Sequence, residues 1–234
     1  MQYFIANYPI GDFYTLSPEE SKHCIKVLRM NVNDEIYLAD GLGTLCTARI
    51  VEANPKECLV EIINRQPEYG KRNHYLHIAV AATKNTARIE WFIEKAVEIG
   101  IDEITLLTCD HSERESQKTE RLHKIITSAM KQSLKTYRPI LNGPISLMEF
   151  LQQPFEGCKM VCYCDGDNRK TIHQTYTPKD PALILIGPEG DFSKREIETA
   201  LAIGYQPVTL GTCRLRTETA ALYATTAINF MNEL

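Results

Sequence analysis

The pattern of apolar residues changes near residue 74, and this change restricts the possible folds more than any other feature of the sequence. From there, continuous apolar runs such as "YLHIAVAA" and "ALILIG" alternate with segments of helical period. Continuous apolar strands are typical of parallel sheets that are covered on both faces, and strands alternating with helices indicate an α/β domain. The sequence therefore predicts an α/β domain with a mostly parallel sheet over residues 74–234.

Residues 1–70 alternate apolar and polar positions, most clearly over residues 34–63, with turn signals at Asp40–Gly43 and at Asn54-Pro55. This pattern predicts a small antiparallel barrel. Ser17-Pro18-Glu19-Glu20 resembles a capping box with proline at the first helical position, and predicts one short helix. The polar segment 64–73 is the predicted linker between two domains, 1–70 and 74–234.

Composition excludes several classes of protein. With 44% hydrophobic and 24% charged residues, the chain of 234 residues is ordinary for a soluble globular protein. No apolar run approaches the roughly 18 residues of a membrane span, and the N-terminus lacks a signal-peptide pattern. We therefore expect a cytoplasmic protein without membrane contact.

The eight cysteines do not indicate a disulfide framework or a metal site. Cys158, Cys162 and Cys164 form the densest group, which lacks the CxxC pairs of zinc sites. Alternation along a strand predicts Cys162 and Cys164 on one face beside Met160, as small core hydrophobes. No metal is expected.

A basic segment stands out against the formal net charge of −4, which argues against general binding of polyanions. It holds an excess of five positive charges because only Glu120 opposes its basic residues, which are Lys118, Arg121, Lys124, Lys131, Lys135 and Arg138. Two interpretations remain open, a nucleic-acid footprint and a solvated helix face.

The turn Gly187-Pro188-Glu189-Gly190 follows a predicted strand, and ligands of α/β sheets bind where strands end. Its spacing fits neither the dinucleotide fingerprint nor the P-loop. The next helix is already capped by Ser193 with Glu196, and Gly204 ends it. Because Glu189 and Asp191 would repel phosphate, we favour a positively charged ligand whose adenine pairs with backbone groups.

A second candidate segment, "LGTCRLRTETA", covers residues 210–220 and leads into a helix of small apolar residues. Such a helix packs closely against other helices or against a partner subunit. Arg214 and Arg216 lie beside Glu218 at its start. This group is either a weak surface ion pair or part of a site.

Together, "IGPEGDFS" and "RLRTETA" resemble the small-subunit rRNA uridine-N3 methyltransferases (RsmE family) of the SPOUT class. The upstream stretch "KNTARIEWFIEKAVEIGIDEI" is also similar, and the resemblance covers nearly the whole chain. It implies a SPOUT-type α/β domain with a trefoil knot, a PUA-like N-terminal β-barrel that helps hold RNA, and a homodimer. It also implies an S-adenosyl-L-methionine site formed by Gly187, Pro188, Glu189, Gly190, Leu210, Gly211, Leu215, Arg216, Thr217 and Ala220.

The chain departs from the family pattern at two places. The family often has a second glycine where Asp191 stands, and an arginine and an aliphatic residue where Cys213 and Arg214 stand. The second departure leaves open whether Arg214 or Arg216 acts.

The resemblance implies methylation of N3 of a uridine in small-subunit rRNA, either free or in the assembled subunit. Uridine N3 carries a proton at neutral pH, so we expect Glu218 or Glu189 to act as base and Arg216 to stabilise charge on the carbonyl oxygens. RNA contacts are expected at His23, Lys26 and Arg29, three apart on a short helix, and at Lys84, Arg114, Lys131 and Arg138.

Two alternatives remain. A ribose 2′-O methyltransferase of the same class would carry an asparagine-serine motif at the final helix, where this chain has "RTETA". A non-catalytic RNA-binding protein on the same scaffold would not bind S-adenosylmethionine.

Overall fold

The computed structural model describes residues 3–6, 10–112, 119–164 and 169–233. The chain forms two compact units, the first with residues 1–71 and 127–138 and the second with residues 72–126 and 139–234. The predicted boundaries, 1–70 and 74–234, leave residues 127–138 in the second domain.

In its described residues, the first unit contains a small β-sheet, one short helix and, at residues 127–132, the end of a longer helix. Its elements are β1 (Tyr3–Ile5), β2 (Phe13–Thr15), α1 (Pro18–Lys22), a π-helical turn (His23–Val27), β3 (Glu35–Ala39), β4 (Leu45–Glu52) and β5 (Leu59–Gln66). The five strands lie in the order β1-β3-β4-β5-β2, and register shifts between β4 and β5 bend the sheet. The predicted linker is wrong at residues 64–66, which still belong to β5.

Strand pairing in the first unit differs from the prediction at β1. Strands β2 to β5 pair antiparallel, as expected, whereas β1 pairs parallel with β3. The buried side chains of β3, β4 and β5, which include Ile36, Leu38, Ile50 and Val60, form the core of this sheet.

Helix α1 begins at Pro18 with Ser17 as its N-cap, as predicted, but its capping box is incomplete. The Ser17 hydroxyl accepts a hydrogen bond from the Glu20 amide at 3.3 Å, and Pro18 occupies the first turn. The Glu20 carboxylate does not return to the cap. It bonds to the Lys131 ammonium instead, within the same compact unit.

The second unit is built on a parallel sheet of seven strands. Its elements are β6 (Leu76–Ala81), α2 (Thr86–Ile99), β7 (Glu103–Thr108), α3 (Thr119–Gln132), β8 (Ile140–Ser146), α4 (Leu147–Phe150), β9 (Cys158–Cys162), β10 (Lys170–Thr171), α5 (Ile172–Thr175), β11 (Ala182–Ile186), α6 (Lys194–Ala202), β12 (Gln206–Thr209) and α7 (Thr217–Glu233). Helix α3 belongs to this unit up to Ile126.

The strand order is β10-β12-β9-β11-β6-β7-β8, and every pair is parallel. The predicted α/β domain with a mostly parallel sheet is therefore confirmed. Both central strands, β6 and β11, are buried at every position, which explains their continuous apolar sequences. The trefoil knot stays a prediction.

Helices α2 and α7 pack against each other beside the parallel sheet. The predicted apolar face of α2 is confirmed, since Ile89, Phe92, Ile93, Ala96 and Val97 are all buried. Helix α7 packs on α2 and on β6. It buries small residues there, among them Ala221 and Ala224, so the two helices approach closely.

In the described ranges, no helix has the length and apolar character needed to cross a membrane.

Candidate functional site

A cleft of about 450 Å³ lies where β9, β11 and β12 end and where α7 begins. Its volume is in the range of small-molecule sites, and the carboxyl edge of a parallel sheet is where such sites form. Both candidate segments of the sequence line it. The cleft contains every residue predicted to bind a cofactor: Gly187, Pro188, Glu189, Gly190, Leu210, Gly211, Leu215, Arg216, Thr217 and Ala220.

The two segments are joined by a hydrogen bond. The Thr217 hydroxyl, at the start of α7, donates to the carbonyl oxygen of Gly187 at 3.0 Å. A side chain on Gly187 would place its Cβ 3.1 Å from the Phe192 ring. A larger residue here would require the Phe192 ring to shift by a few tenths of an ångström, because the turn folds tightly on itself.

Asp191, where the family often has glycine, adopts the left-handed backbone conformation with φ of 61°. Glycine takes this conformation without strain, and aspartate is among the few other residues that tolerate it. Its carboxylate accepts hydrogen bonds from the amides of Phe192 (2.8 Å) and Cys164 (2.7 Å). Asp191 therefore ties the loop after β9 to the glycine turn.

The loop after β7 supports the glycine turn from the other side. His111 Nδ1 lies 3.1 Å and 3.0 Å from the carbonyl oxygens of Gly190 and Asp191. The predicted capping box of Ser193 and Glu196 is confirmed, and Glu196 also accepts a hydrogen bond from the Asp110 amide at 2.9 Å. The role of His111 could not be predicted from the sequence, because it lies about 80 residues before the turn it contacts.

An arginine that sequence analysis missed lies between the two candidate bases. Arg88 Nη1 is 3.7 Å from Glu189 Oε1, and Arg88 Nε is 3.8 Å from Glu218 Oε1. Arg88 and Glu189 line the cleft, whereas Glu218 is outside the lining in the described part of the chain. The Glu218 side chain is 10% exposed, and its Oε2 is buried without a hydrogen-bond partner among the described residues.

A signal for Arg88 was present in the sequence. It is the third residue of α2, after the Asn85 cap, and that first turn contains no acidic residue. A cation in the first turn of a helix is opposed by the helix dipole. Its presence indicates an acidic partner elsewhere in the chain.

Arg214 and Arg216 are both exposed and both line the cleft. Both arginines therefore lie at the same cleft as Arg88 and Glu189, and either could contact a ligand there.

Three cysteines line the same cleft, Cys162, Cys164 and Cys213. The prediction that Cys164 is a core residue is wrong, since it follows β9 and is exposed. Burial raises the pKa of the Cys162 thiol, and partial desolvation together with the neighbouring Asp191 carboxylate raises the pKa of the Cys164 thiol, so both are poor nucleophiles. Within the described ranges, no group of three His, Cys, Asp or Glu residues could hold a metal.

The residues predicted to contact RNA occupy different environments. In the first unit, Lys26 and Arg29 are exposed, and His23 is half-buried in the π-helical turn. In the second unit, Lys84 is exposed, and Arg114 lies outside the described residues.

Several cations of the basic segment are paired or buried, which its composition did not indicate. In the first unit, Lys131 bonds to Glu20, and Arg138 donates to the Thr127 hydroxyl at 2.8 Å, where burial lowers the pKa of its guanidinium. In the second unit, Arg121 pairs with Glu90 at 2.6 Å. The single acid counted along the segment is therefore joined by acids from distant parts of the chain.

Comparison with known proteins identifies the class. A family model described as an RNA methyltransferase domain matches residues 71–229, and one described as an RNA methyltransferase PUA domain matches residues 16–63. The parallel sheet with its cleft is thus that of an RNA methyltransferase, and the small N-terminal sheet is of the PUA type.

Individual relatives narrow the family. Ribosomal RNA small subunit methyltransferase E of Mesomycoplasma hyopneumoniae (strain 232) is 30% identical over 236 residues, covering 97% of this chain and 98% of that protein. The crystal structure of a probable rRNA-methyltransferase from Porphyromonas gingivalis has a TM-score of 0.93 at 38% identity, covering 100% and 99% of the two chains. Ribosomal RNA small subunit methyltransferase E from Neisseria gonorrhoeae, bound to S-adenosyl methionine, has a TM-score of 0.87 at 25% identity, covering 99% and 98%. The chain belongs to the ribosomal RNA small subunit methyltransferase E family.

Proposed function

We propose that the protein uses S-adenosylmethionine to methylate N3 of a uridine in small-subunit (16S) ribosomal RNA. One observation carries the proposal: two segments about 20 residues apart in the sequence line one cleft, together with the Arg88 cation from α2. Membership of the family supports the rRNA substrate. The cytoplasm, where ribosomal RNA is assembled into subunits, is the proposed location.

The cleft suits S-adenosylmethionine. Ile186, Val208, Leu210 and Leu215 supply apolar walls, and Glu189 and Asp191 offer carboxylate partners for the cationic groups of the ligand beside the arginines that also line the cleft. Among the described residues, no heavy atom outside the adjacent residues lies within 4 Å of the Cβ position of Gly211, so the backbone there leaves space for a ligand. The proposed binding residues are the Gly187–Gly190 turn and, from the second segment, Leu210, Gly211, Leu215, Arg216, Thr217 and Ala220. When bound, the cofactor supplies an electrophilic methyl group beside the uracil.

The protein's own residues then have to remove a proton and stabilise charge. Glu189, at the cleft, and Glu218, behind Arg88, are the proposed candidates for the base that takes the N3 proton. Arg216 is placed to stabilise the charge that spreads onto the carbonyl oxygens. Arg216→Ala should abolish methyl transfer while S-adenosylmethionine affinity stays within about tenfold, or roughly 1.4 kcal/mol.

The proposed RNA surface consists of His23, Lys26 and Arg29 in the first unit and of Lys84, Arg114, Lys131 and Arg138. Exposure of Lys26 and Arg29 supports the first group. The ion pair of Lys131 and the burial of Arg138 give these two residues structural roles as well.

A homodimer through α2 and α7 is part of the proposal. These helices pack on each other and leave three aromatic side chains exposed, Trp91 at 44%, Tyr223 at 50% and Phe230 at 60%. Tyr223 and Phe230 are seven residues apart, on one face of α7. Exposed aromatic patches of this kind mark protein interfaces. We also propose the domain division at 1–70 and 74–234 and the trefoil knot.

Nucleoside analysis tests the proposal. The purified protein is incubated with S-adenosylmethionine and either free small-subunit rRNA or assembled small subunits from cells lacking the gene, and the RNA is digested for mass spectrometry. We expect 3-methyluridine. A 2′-O-methyluridine product would instead indicate a ribose methyltransferase, and failure to bind S-adenosylmethionine would indicate a non-catalytic scaffold.

A further inference from the structure

We propose that Arg88 is a catalytic residue that contacts the uracil carbonyl oxygens, that Glu218 positions it, and that Glu189 receives the N3 proton. This assignment rests on the proposed function and goes beyond it, because it divides the roles of the two carboxylates and adds a cation from α2.

The two carboxylates that contact Arg88 differ in access to the cleft. Glu189 lines the cleft and has a side chain that is 38% exposed. Glu218 lies outside the lining in the described part of the chain and is 10% exposed. A proton acceptor must reach the N–H that it deprotonates. Glu189 meets that condition, whereas Glu218 contacts Arg88 without lining the cleft.

The location of Glu218 suits a counter-charge. It is the second residue of α7, where unpaired helix amides and the helix dipole favour a negative charge. The adjacent Thr217 fixes this end of α7 to Gly187. The carboxylate is therefore held in place, and it in turn fixes the guanidinium 3.8 Å away.

Arg88 keeps donors available for a ligand. Both of its ion-pair distances, 3.7 Å and 3.8 Å, exceed hydrogen-bond length. No hydrogen bond from its guanidinium to another described residue is formed, although the group has five N–H donors. A cation held from two sides, with unused donors at a cleft, is preorganised to meet an anion.

The bond changes follow from these roles. The N3–H bond breaks and the proton passes to the Glu189 carboxylate, while negative charge spreads over N3, O2 and O4 of the ring. Arg88 donates hydrogen bonds to the charged carbonyl oxygens. The N3–C bond forms as the C–S bond of the sulfonium breaks, which leaves a neutral thioether and N3-methyluracil.

The test compares Arg88→Met, Arg88→Lys, Glu189→Gln and Glu218→Gln in single-turnover methyl transfer to small-subunit RNA, with S-adenosylmethionine affinity measured by calorimetry. Lys194→Met is the matched control, because Lys194 and Glu198 also lie 3.8 Å apart in the same unit but the Lys194 side chain is 90% exposed. Each protein is assayed on RNA with uridine and with 5-fluorouridine at the target position. Fluorine stabilises the ring anion and reduces the need for a cation.

We expect Arg88→Met to lower the single-turnover rate by roughly 100-fold, the size typical of one lost anion-stabilising donor. Its affinity for S-adenosylmethionine should stay within about fivefold of wild type, well under the 1.4 kcal/mol of a tenfold change. 5-Fluorouridine should recover about tenfold of this loss. Arg88→Lys and Glu218→Gln should fall between Arg88→Met and wild type, since each keeps a cation in the cleft. Glu189→Gln should show the largest loss, and Lys194→Met should match wild type.

Equal losses of Arg88→Met on uridine and on 5-fluorouridine would assign Arg88 a purely structural role and overturn the proposal, as would a loss confined to cofactor affinity. A Glu218→Gln rate below that of Glu189→Gln would reverse the carboxylate roles. If Arg88→Met does not fold, the 5-fluorouridine response of Arg88→Lys decides in the same way. Wild-type protein that forms no 3-methyluridine overturns the proposed function itself, whereas active wild type with an unaffected Arg88→Met overturns only this assignment.

Discussion

The two cleft loops, residues 187–190 and 210–220, and the basic segment 118–138 are all prominent in the sequence, but they have different environments in the structure. The predicted loop residues lie together in one cleft, whereas Lys131 and Arg121 are paired with Glu20 and Glu90 from distant segments. Glycine and proline act through local backbone geometry, which a short motif specifies. The charge of a segment depends on every acid that folds against it, which a count along the chain does not include.

The largest effect expected concerns Lys131. Lys131→Met removes the ion-pair partner of Glu20, a residue that is 9% exposed, and leaves a buried charge unpaired. Such losses cost about 3 kcal/mol. We expect urea denaturation at pH 7 to show a decrease of this order in the free energy of unfolding.

Lys124, which is exposed on the same helix, provides the matched control. Lys124→Met should leave stability within about 0.5 kcal/mol. If Lys131→Met were as stable as Lys124→Met and instead weakened RNA binding, the contrast between the two regions would fail, and the nucleic-acid footprint would be the correct interpretation of Lys131.

The next largest effect concerns Gly211, which lines the cleft. Gly211 has φ of 118°, and its Cβ position meets no atom of the described residues within 4 Å, so the requirement for glycine comes from the backbone conformation. Gly211→Val should force the loop to rearrange, at a cost of about 1–3 kcal/mol, and should weaken S-adenosylmethionine binding by about tenfold or more. Calorimetric titration measures this change.

Gly204 has a similar backbone, with φ of 91°, but ends α6 away from the cleft. Gly204→Val should reduce thermal stability by a comparable amount and leave cofactor affinity unchanged. Equal losses of affinity in both variants would mean that general destabilisation, and not the loop, controls binding.

A smaller effect tests which cations contact RNA. Lys26→Gln and Lys124→Gln each remove one exposed charge. If each charge meets a phosphate, the slope of log affinity against log salt concentration should fall by about 0.7–0.9 per substitution. Filter binding to small-subunit RNA over a salt series gives the slope. An unchanged slope in one variant would remove that residue from the RNA surface.

The smallest effect compares two substitutions of Asp191. Both Asp191→Gly and Asp191→Ala lose the carboxylate that accepts the Cys164 and Phe192 amides, but only alanine keeps the strain of φ at 61°. We expect the glycine variant to be more stable than the alanine variant by about 1 kcal/mol, measured by thermal unfolding. The reverse order would show that this backbone conformation is not retained.

Sequence analysis predicted the fold well where the pattern was long. The continuous strands β6 and β11 and the periodic helix α2 were all identified from hydrophobicity. The parallel pairing of β1 was missed, because a strand of three residues carries no pattern that specifies its partner. Residues 64–66 were assigned to a linker because they are polar, yet they form the exposed end of β5.

Within the site, the residues close to the two motifs could be predicted and the supporting residues could not. Arg88 and His111 reach the cleft loops from α2 and from the end of β7, about 80 to 130 residues away along the chain. Only tertiary structure brings such residues together. The basic first turn of α2 was the one local sign that an acidic partner existed.

Helix α7 joins two proposed roles in one rigid body. Its first residues, Thr217 and Glu218, hold Gly187 and face Arg88, while Tyr223 and Phe230 point outward further along the same helix. At about 1.5 Å per residue, its 17 residues form a rod of roughly 25 Å. A second copy docked on those aromatics would shift or hold the whole helix, including its first residues at the cleft. The alignment of the reacting groups would then depend on how the two subunits are assembled.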